Sequence, residues 1–255
     1  MNAVDFGLLV LAGIGAGLVG SVAGLASLIS YPALLATGIP PVTANVTNTV
    51  ALVLNSVGSV SASIPELEGQ KPRLRRLAGA AVLGGATGAA LLLLTPSSAF
   101  ERVVPFLIAG ASLAILIQRS PRELALEGAL HHPDHRDPRW LPLGTFVITI
   151  YGGYFGAAAG VMLLAMFLLS TGETVPRGNA LRNVVLGLAN GTAAVGFIVL
   201  APVEWSAALP LAIGLFMGGR LGPRVVRRAP QTLIRRVIAV LGLGLAIHLG
   251  IQAYG

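Results

Sequence analysis

The sequence is short of charge and contains no cysteine. Only 11% of its 255 residues are charged, whereas a soluble domain carries about a quarter. Without cysteine the chain has no disulfide, no thiolate metal site and no cysteine nucleophile. Lys71 is the only lysine, and it is not part of a Gly-Lys-Ser or Gly-Lys-Thr sequence. A nucleotide-binding P-loop is therefore excluded.

Apolar residues dominate instead. They make up 55% of the chain, the mean hydropathy is +0.81, and runs near the length of a bilayer crossing recur from end to end. These features predict an all-α, polytopic membrane protein in the lipid bilayer of the cell membrane. The net charge of +7 lies in short loops, a pattern that sets membrane orientation, so nucleic acid is not expected as a partner.

The apolar segments fall into two halves, residues 1–118 and 141–255, which a polar cytoplasmic linker at 119–140 joins. Each half opens with a long segment, 4–37 or 141–171, that is expected to split at glycines into a re-entrant hairpin of two short arms. Three transmembrane helices follow in each half. They are expected at about 43–63, 74–94 and 101–118, and at about 179–200, 205–221 and 232–252.

The basic residues predict the orientation and an internal symmetry. With the arginine clusters in the cytoplasm, only Arg102 is left outside and both termini are external. Each half has an odd number of segments, so the halves are inverted repeats. The motifs LLATG and LLSTG echo each other, and Asn48 and Asn55 have the same spacing as Asn183 and Asn190. Inverted repeats with interrupted helices are typical of transporters.

The interrupted helices predict an anion site. The second arm of each hairpin begins near the middle of the membrane, at Gly24–Ser27 or Gly160–Met162, where the first N–H groups have no helical partner and the helix dipole is positive. Two such ends that face a common centre would bind a small anion. The residues expected to bind it are Gly24, Ser27, Thr47, Asn48, Thr49, Asn55, Gly160, Asn183 and Asn190, with Ser21 as a further hydroxyl.

Each of these polar residues also has a plainer interpretation. Ser, Thr and Asn often form hydrogen bonds between membrane helices, so any of them could tie a broken helix together. Arg182 fits an anchor at the inner face, or alternatively a guide for anions at the cytoplasmic mouth. The polar stretch from His131 to His135 has metal-binding residue types, but it lies in a solvated loop. Neither a metal nor a cofactor is expected.

Several stretches resemble a known family. SLISYPALLATGIPPVTANVTNTVAL with PELEGQKPRLRRL, and YGGYFGAAAGVMLLA with NALRN, are similar to the sulfite exporter TauE/SafE family, and the likeness runs from about residue 7 to residue 250. It implies a multi-pass carrier of two related halves that moves sulfite, organosulfonates or similar sulfur-containing anions. The family usually has glycine clusters at both hairpins, whereas this chain has Ala26, Ala158 and Ala159 at these places. These alanines would narrow the range of anions that are carried, or change it.

The distribution of acids and histidines bears on coupling and catalysis. Every carboxylate falls in a loop or at the end of a span, so we expect export driven by the membrane potential rather than by a proton relay. An intramembrane enzyme would need a nucleophile with a base, or a metal cluster, and His248 is the only histidine within a span. We therefore expect a transporter and not an enzyme. Two alternative functions stay open: a non-transporting scaffold subunit, and a carrier of another small organic anion. Assembly into a homo-oligomer also stays open.

Overall fold

The computed structural model describes the backbone of residues 3–131, 137–226 and 231–254, and the side chains of most of them. The described residues form helices and short connections, with no strand among them. The helices are α1 (Ala3–Ala23), α2 (Ser27–Ala36), α3 (Pro41–Ser61), the 3-10 turn Pro65–Leu67, α4 (Lys71–Leu94), α5 (Ser97–Ile117), α6 (Pro121–His131), α7 (Leu141–Tyr154), α8 (Ala159–Thr171), α9 (Val175–Leu200), α10 (Trp205–Val226) and α11 (Gln231–Tyr254).

Several helices have the length and composition of membrane spans. Among the described residues, α1, α4, α5, α9 and α11 are long and apolar enough to cross a bilayer. Helices α3 and α10 have similar lengths, 21 and 22 residues, but α3 is less apolar because it carries amides and hydroxyls. Large apolar side chains face outward, as at Leu94 and Ile117, which are 81% and 80% exposed. Extended apolar surface of this kind is typical of a lipid-facing protein.

Both long opening segments are split close to the predicted positions. Three residues separate α1 from α2, and four residues separate α7 from α8. The arms of the second hairpin are short, at 14 and 13 residues. The prediction of short arms is wrong for α1, whose 21 residues extend about 32 Å at 1.5 Å per residue.

Glycines that were expected to weaken α1 instead bring it close to α10. A side-chain carbon on Gly13 would lie 2.5 Å from the carbonyl oxygen of Leu211, and one on Gly17 would lie 2.5 Å from that of Leu215. Small residues let membrane helices pack backbone against backbone. Because this packing supports its glycine-rich face, α1 stays helical as far as Ala23.

The two halves of the chain exchange packing partners, in the sense that helices of each half pack mainly against helices of the other half. Helix α1 packs along α10 while α7 packs along α4, and α3 packs on α10 while α9 packs on α4. Corresponding helices also meet, because α3 contacts α9 and α5 contacts α11. The sequences GGATG in α4 and GGRLG in α10 supply glycines to these contacts. Neither half therefore packs as a separate bundle.

The repeated motifs LLATG and LLSTG end the second arms in the same way. Each motif finishes with a left-handed glycine, Gly38 at a φ of +82° and Gly172 at +64°. The preceding threonines, Thr37 and Thr171, each donate a hydrogen bond of 2.7 Å to a backbone carbonyl of their own arm. A left-handed glycine after the last turn is a common helix stop. The motifs therefore set where α2 and α8 end.

An ionic cluster ties three segments together at one end of the bundle. Arg73 at the start of α4 pairs with Asp137, which precedes α7, and with Glu173, which precedes α9, each at 2.7 Å. Arg177 pairs with the other carboxylate oxygen of Glu173, also at 2.7 Å. The side chains of Arg73 and Glu173 are each only 10% exposed, so water screens this pair weakly. Removing one partner of such a pair is strongly destabilising.

The cluster predicts how stability depends on pH. Burial opposes ionisation of Glu173, but hydrogen bonds and charges from Arg73 and Arg177 hold its pKa below the usual range. A carboxyl with a lowered pKa stabilises the fold above its unfolded pKa and loses that contribution as the pH falls through the folded value. Wild-type stability should therefore fall below about pH 4.

Glu173→Gln should lower the apparent melting temperature by several degrees at neutral pH, because it removes the charge that Arg73 and Arg177 share. It should also reduce the loss of stability at acid pH. Thermal unfolding of the purified protein in detergent measures both effects. Glu123→Gln, on the exposed face of α6, is the matched control. Identical curves for the two variants would contradict this account of the cluster.

Candidate functional site

The breaks of the two hairpins touch each other. Gly24 in the first break has a φ of +76°, a left-handed conformation that favours glycine. A side-chain carbon on Gly24 would lie 2.7 Å from the carbonyl carbon of Gly160 and 2.9 Å from the amide nitrogen of Val161. One on Gly160 would lie 2.8 Å from the Cα atom of Gly24. The two backbones can meet only because neither glycine has a side chain.

The second break contains a left-handed alanine. Ala158, directly before α8, has a φ of +63° and is 2% exposed, and Gly156, two residues earlier, has a φ of +78°. For a residue other than glycine this conformation costs roughly 1–2 kcal/mol. Strain of this kind persists only where the surrounding packing enforces it, and it is concentrated at functional sites.

A small cavity of about 40 Å³ lies beside the contact between the breaks. It has room for about three water-sized groups, which is close to the size of the head group of a small oxyanion. Both hairpins and the helices α3 and α9 contribute to its wall. Seven of the nine residues predicted to bind the anion line it: Gly24, Ser27, Thr49, Asn55, Gly160, Asn183 and Asn190.

Asn48 and Thr47 do not line this cavity. Asn48 lies two turns before Asn55 on α3, about 10 Å along the helix. It is 1% exposed, and its Oδ1 atom has no partner among the described residues. The Thr47 hydroxyl accepts a hydrogen bond of 3.0 Å from the N–H group of Glu204. Thr47 therefore fixes the connection between α9 and α10.

Backbone donors stay free at both breaks. The N–H groups of Leu25 and Ala26 in the first break, and that of Gly160 in the second, have no backbone acceptor in the part of the chain that the structure describes. Helices α2 and α8 begin at the same places, and a helix N-terminus carries a partial positive charge of about +0.5. Free donors and two positive helix ends beside one cavity form a suitable environment for an anion.

Side-chain amides add further unpaired groups. The Nδ2 atom of Asn183 is buried and has no acceptor among the described residues, and the Oδ1 atom of Asn55 is buried without a donor. Buried polar groups in folded proteins are usually satisfied by protein or ordered water. Unpaired groups in the wall of a cavity therefore indicate that a polar ligand or water binds there.

Other polar residues serve packing, as the plainer interpretation expects. The Nδ2 atom of Asn45 donates to the carbonyl of Tyr154 at the end of α7, at 2.9 Å. The Nδ2 atom of Asn179 donates to the carbonyl of Ser21 near the end of α1, at 2.6 Å. The Ser21 hydroxyl shares a hydrogen bond of 2.7 Å with Ser59. Two asparagines outside the predicted anion site thus each hold the first arm of the opposite hairpin.

Arg182 is buried, whereas the sequence predicts an anchor at the inner face or a guide at the cytoplasmic mouth. Its side chain is 0% exposed. The Nη2 atom donates to the carbonyls of Gly20 and Ser21 at 3.0 and 2.9 Å, and to the Oδ1 atom of Asn183 at 2.7 Å. The carbonyl end of a helix attracts a cation. The last turn of α1 therefore holds the guanidinium inside the bundle.

The structure describes one of the three histidines of the linker, His131. The Nδ1 atom of His131 lies 2.8 Å from the carbonyl oxygen of Glu127 within α6. His132, Asp134 and His135 lie outside the described residues. Within the described ranges, no three His, Cys, Asp or Glu side chains come together as metal ligands would.

Sequence comparison finds membrane transporters over nearly the whole chain. The family model for Sulfite exporter TauE/SafE matches residues 9–249. Probable membrane transporter protein YfcA of Escherichia coli (strain K12) is 24% identical, over 94% of this chain and 87% of its own length. Probable membrane transporter protein ORF9 of Sinorhizobium sp is 27% identical, over 92% of this chain and 88% of its own. A probable membrane transporter protein of Haemophilus influenzae is also 27% identical, over 89% of this chain and 87% of its own.

No solved structure matches the chain. The family match confirms the resemblance seen in the hairpin motifs, because it covers both hairpins and the helices that follow them. The names of the relatives agree with the long apolar helices in indicating a multi-pass membrane transporter. The chain belongs to the sulfite exporter TauE/SafE family.

Proposed function

We propose that this transporter carries sulfite, organosulfonates or similar small sulfur-containing anions out of the cell. The anion binds in the cavity between the two hairpins. The observation that carries the proposal is the contact between Gly24 and Gly160, which places two helix N-termini beside one cavity. Asn55, Asn183 and Asn190 supply amide groups to its wall. The oxygens of sulfite and sulfonates only accept hydrogen bonds, so they match a cavity rich in N–H donors.

Replacing Asn190 with Ala should slow sulfite flux into proteoliposomes about ten- to a hundredfold, because a hydrogen bond to a charged group contributes about 1.5–3 kcal/mol. Thr192→Ala on the same helix is the control, since its hydroxyl donates only to the Leu188 carbonyl, at 2.8 Å. Equal flux in the two variants would refute the cavity as the binding site. A wild-type protein without flux of any anion would favour the scaffold alternative.

The proposal includes two inverted repeats in the plasma membrane, with both termini outside the cell. The exchange of packing partners supports it, since the main contacts of one half have counterparts in the other: α1 with α10 and α7 with α4, α3 with α10 and α9 with α4. The ionic cluster of Arg73, Asp137 and Glu173 then lies on the cytoplasmic side, where the positive-inside rule places the basic loops.

The absence of cysteine makes this orientation easy to test. Ser98→Cys at the start of α5 should react with a membrane-impermeant maleimide on intact cells. Glu123→Cys on α6 should react only after permeabilisation. Both positions are exposed in the structure, so failure to react reports sidedness rather than burial. The reverse pattern of labelling would show that the termini are inside.

The membrane potential is the proposed driving force. No described carboxylate borders the cavity, so an acid that relays protons beside the anion is missing there. Expelling one negative charge from a cell that is negative inside gains about 2.3 kcal/mol per 100 mV. The charge of the anion thus suffices to couple its export to the potential.

An imposed potential of about 100 mV should shift the steady-state gradient of methanesulfonate, a monoanion, by about fiftyfold. Proteoliposomes with a potassium gradient and valinomycin provide the potential, and radiolabelled anion reports the gradient. A pH gradient without a potential is the control and should leave the distribution unchanged. Accumulation that follows the pH gradient and ignores the potential would overturn this mechanism.

A further inference from the structure

Arg182 is a buried cation without a carboxylate partner. Its side chain is completely enclosed, and it takes part in none of the ion pairs formed by the described residues. Neutral groups, the carbonyls of Gly20 and Ser21 and the Asn183 amide, accept its hydrogen bonds. An unpaired charge inside a membrane protein is costly, and such charges mark the paths of ligands and ions.

One nitrogen of this guanidinium is unused. The Nη1 atom of Arg182 is buried and has no hydrogen-bond partner in the described part of the chain. It lies 2.8 Å from the place that a side-chain carbon on Gly24 would occupy. Gly24 borders the cavity and touches Gly160. The missing side chain at Gly24 therefore lets the free nitrogen lie directly beside a residue of the cavity wall.

The two hairpin breaks differ in charge. At the end of α7, the Tyr154 carbonyl accepts a hydrogen bond from the neutral amide of Asn45. At the end of α1, the Ser21 carbonyl accepts hydrogen bonds from both the Asn179 amide and the Arg182 guanidinium. Among the described residues, the cation accordingly belongs to the first break alone.

We infer that Arg182 is the fixed positive charge of the anion site and sets its preference for anions over neutral molecules. The Nη1 atom donates a hydrogen bond to an anion bound beside Gly24, and the anion supplies the negative charge that no described carboxylate supplies to Arg182. This inference rests on the proposed anion carrier. The helix ends carry only partial charges and the amides carry none, so the full charge of the guanidinium contributes most to distinguishing a sulfonate from a neutral sulfonyl group.

The test compares methanesulfonate with dimethyl sulfone, a neutral molecule of nearly the same shape. Their affinities for the full-length protein in detergent are measured by calorimetric titration. Wild type should prefer methanesulfonate, and Arg182→Gln should weaken its binding about ten- to a hundredfold while dimethyl sulfone binds as before. Arg182→Lys keeps the charge and should restore part of the preference.

Asn179→Ala is the matched control for a purely structural role. It removes another donor to the same Ser21 carbonyl but no charge, so its preference for methanesulfonate should equal that of wild type. If Arg182→Gln keeps the wild-type preference, or if Asn179→Ala loses it to the same extent, the inference is overturned.

A second pair of variants covers the case in which Arg182→Gln does not fold. Asn183→Asp keeps the acceptor oxygen that Arg182 already uses and gives the guanidinium an internal carboxylate partner. It should raise the melting temperature and abolish methanesulfonate binding. Asn183→Ala removes the amide without adding charge and should weaken binding less. Equal binding by these two variants would overturn the inference.

The outcomes separate this inference from the proposed function. If wild type binds neither methanesulfonate nor sulfite, the anion carrier itself is refuted and the role of Arg182 falls with it. If wild type binds the anion and Arg182→Gln binds it equally well, the carrier stands and only the role of Arg182 is refuted.

Discussion

The close approach of two backbones at Gly24 and Gly160 is the constraint on which the site depends. It requires two interrupted helices that end their first arms at the same depth, and it tolerates no side chain at either glycine. Peptide N–H groups that a continuous helix would use internally are released at this point. In a water-poor interior the effective dielectric constant is low, so such donors attract an anion more strongly than they would at a surface.

The polar residues around this contact divide into groups that fix the frame and groups that face the cavity. Asn45 and Asn179 are paired with backbone carbonyls and hold the first arms in place. Asn183 shares its oxygen with Arg182, which leaves its Nδ2 atom unpaired. Donors whose neighbours are already fixed need little reorganisation when a ligand arrives, and preorganisation of this kind lowers the cost of binding.

Much of the fold follows from apolar length and from glycine, because a helix in lipid must satisfy its own backbone and has few alternatives. The positions of the long helices and of both hairpin breaks were predicted on this basis. The length of α1 was not, because glycine both weakens a helix and allows close packing, and the choice depends on the distant residues of α10. The left-handed Ala158 escaped prediction for a similar reason, since tertiary packing imposes a conformation that alanine disfavours.

The lining of the cavity was predicted in part. Periodicity places Asn55 and Asn190 on polar faces, and both line the cavity. It cannot show how far along the membrane normal a residue lies, so Asn48 was grouped with them although it lies outside the cavity wall. The position of Arg182 was missed because its partners, the carbonyls of Gly20 and Ser21, belong to the backbone of a helix far away in the sequence. A one-dimensional pattern contains no signal for such contacts.

The exchange of packing partners has a consequence for how the protein is made. During synthesis α1 emerges long before α10, so its glycine-lined face has no partner helix until residues 205–226 have been made. Within the first half, α1 packs much less extensively against α2 and α3 than it does against α10. The cavity is completed late, because its wall includes α9 and the second hairpin.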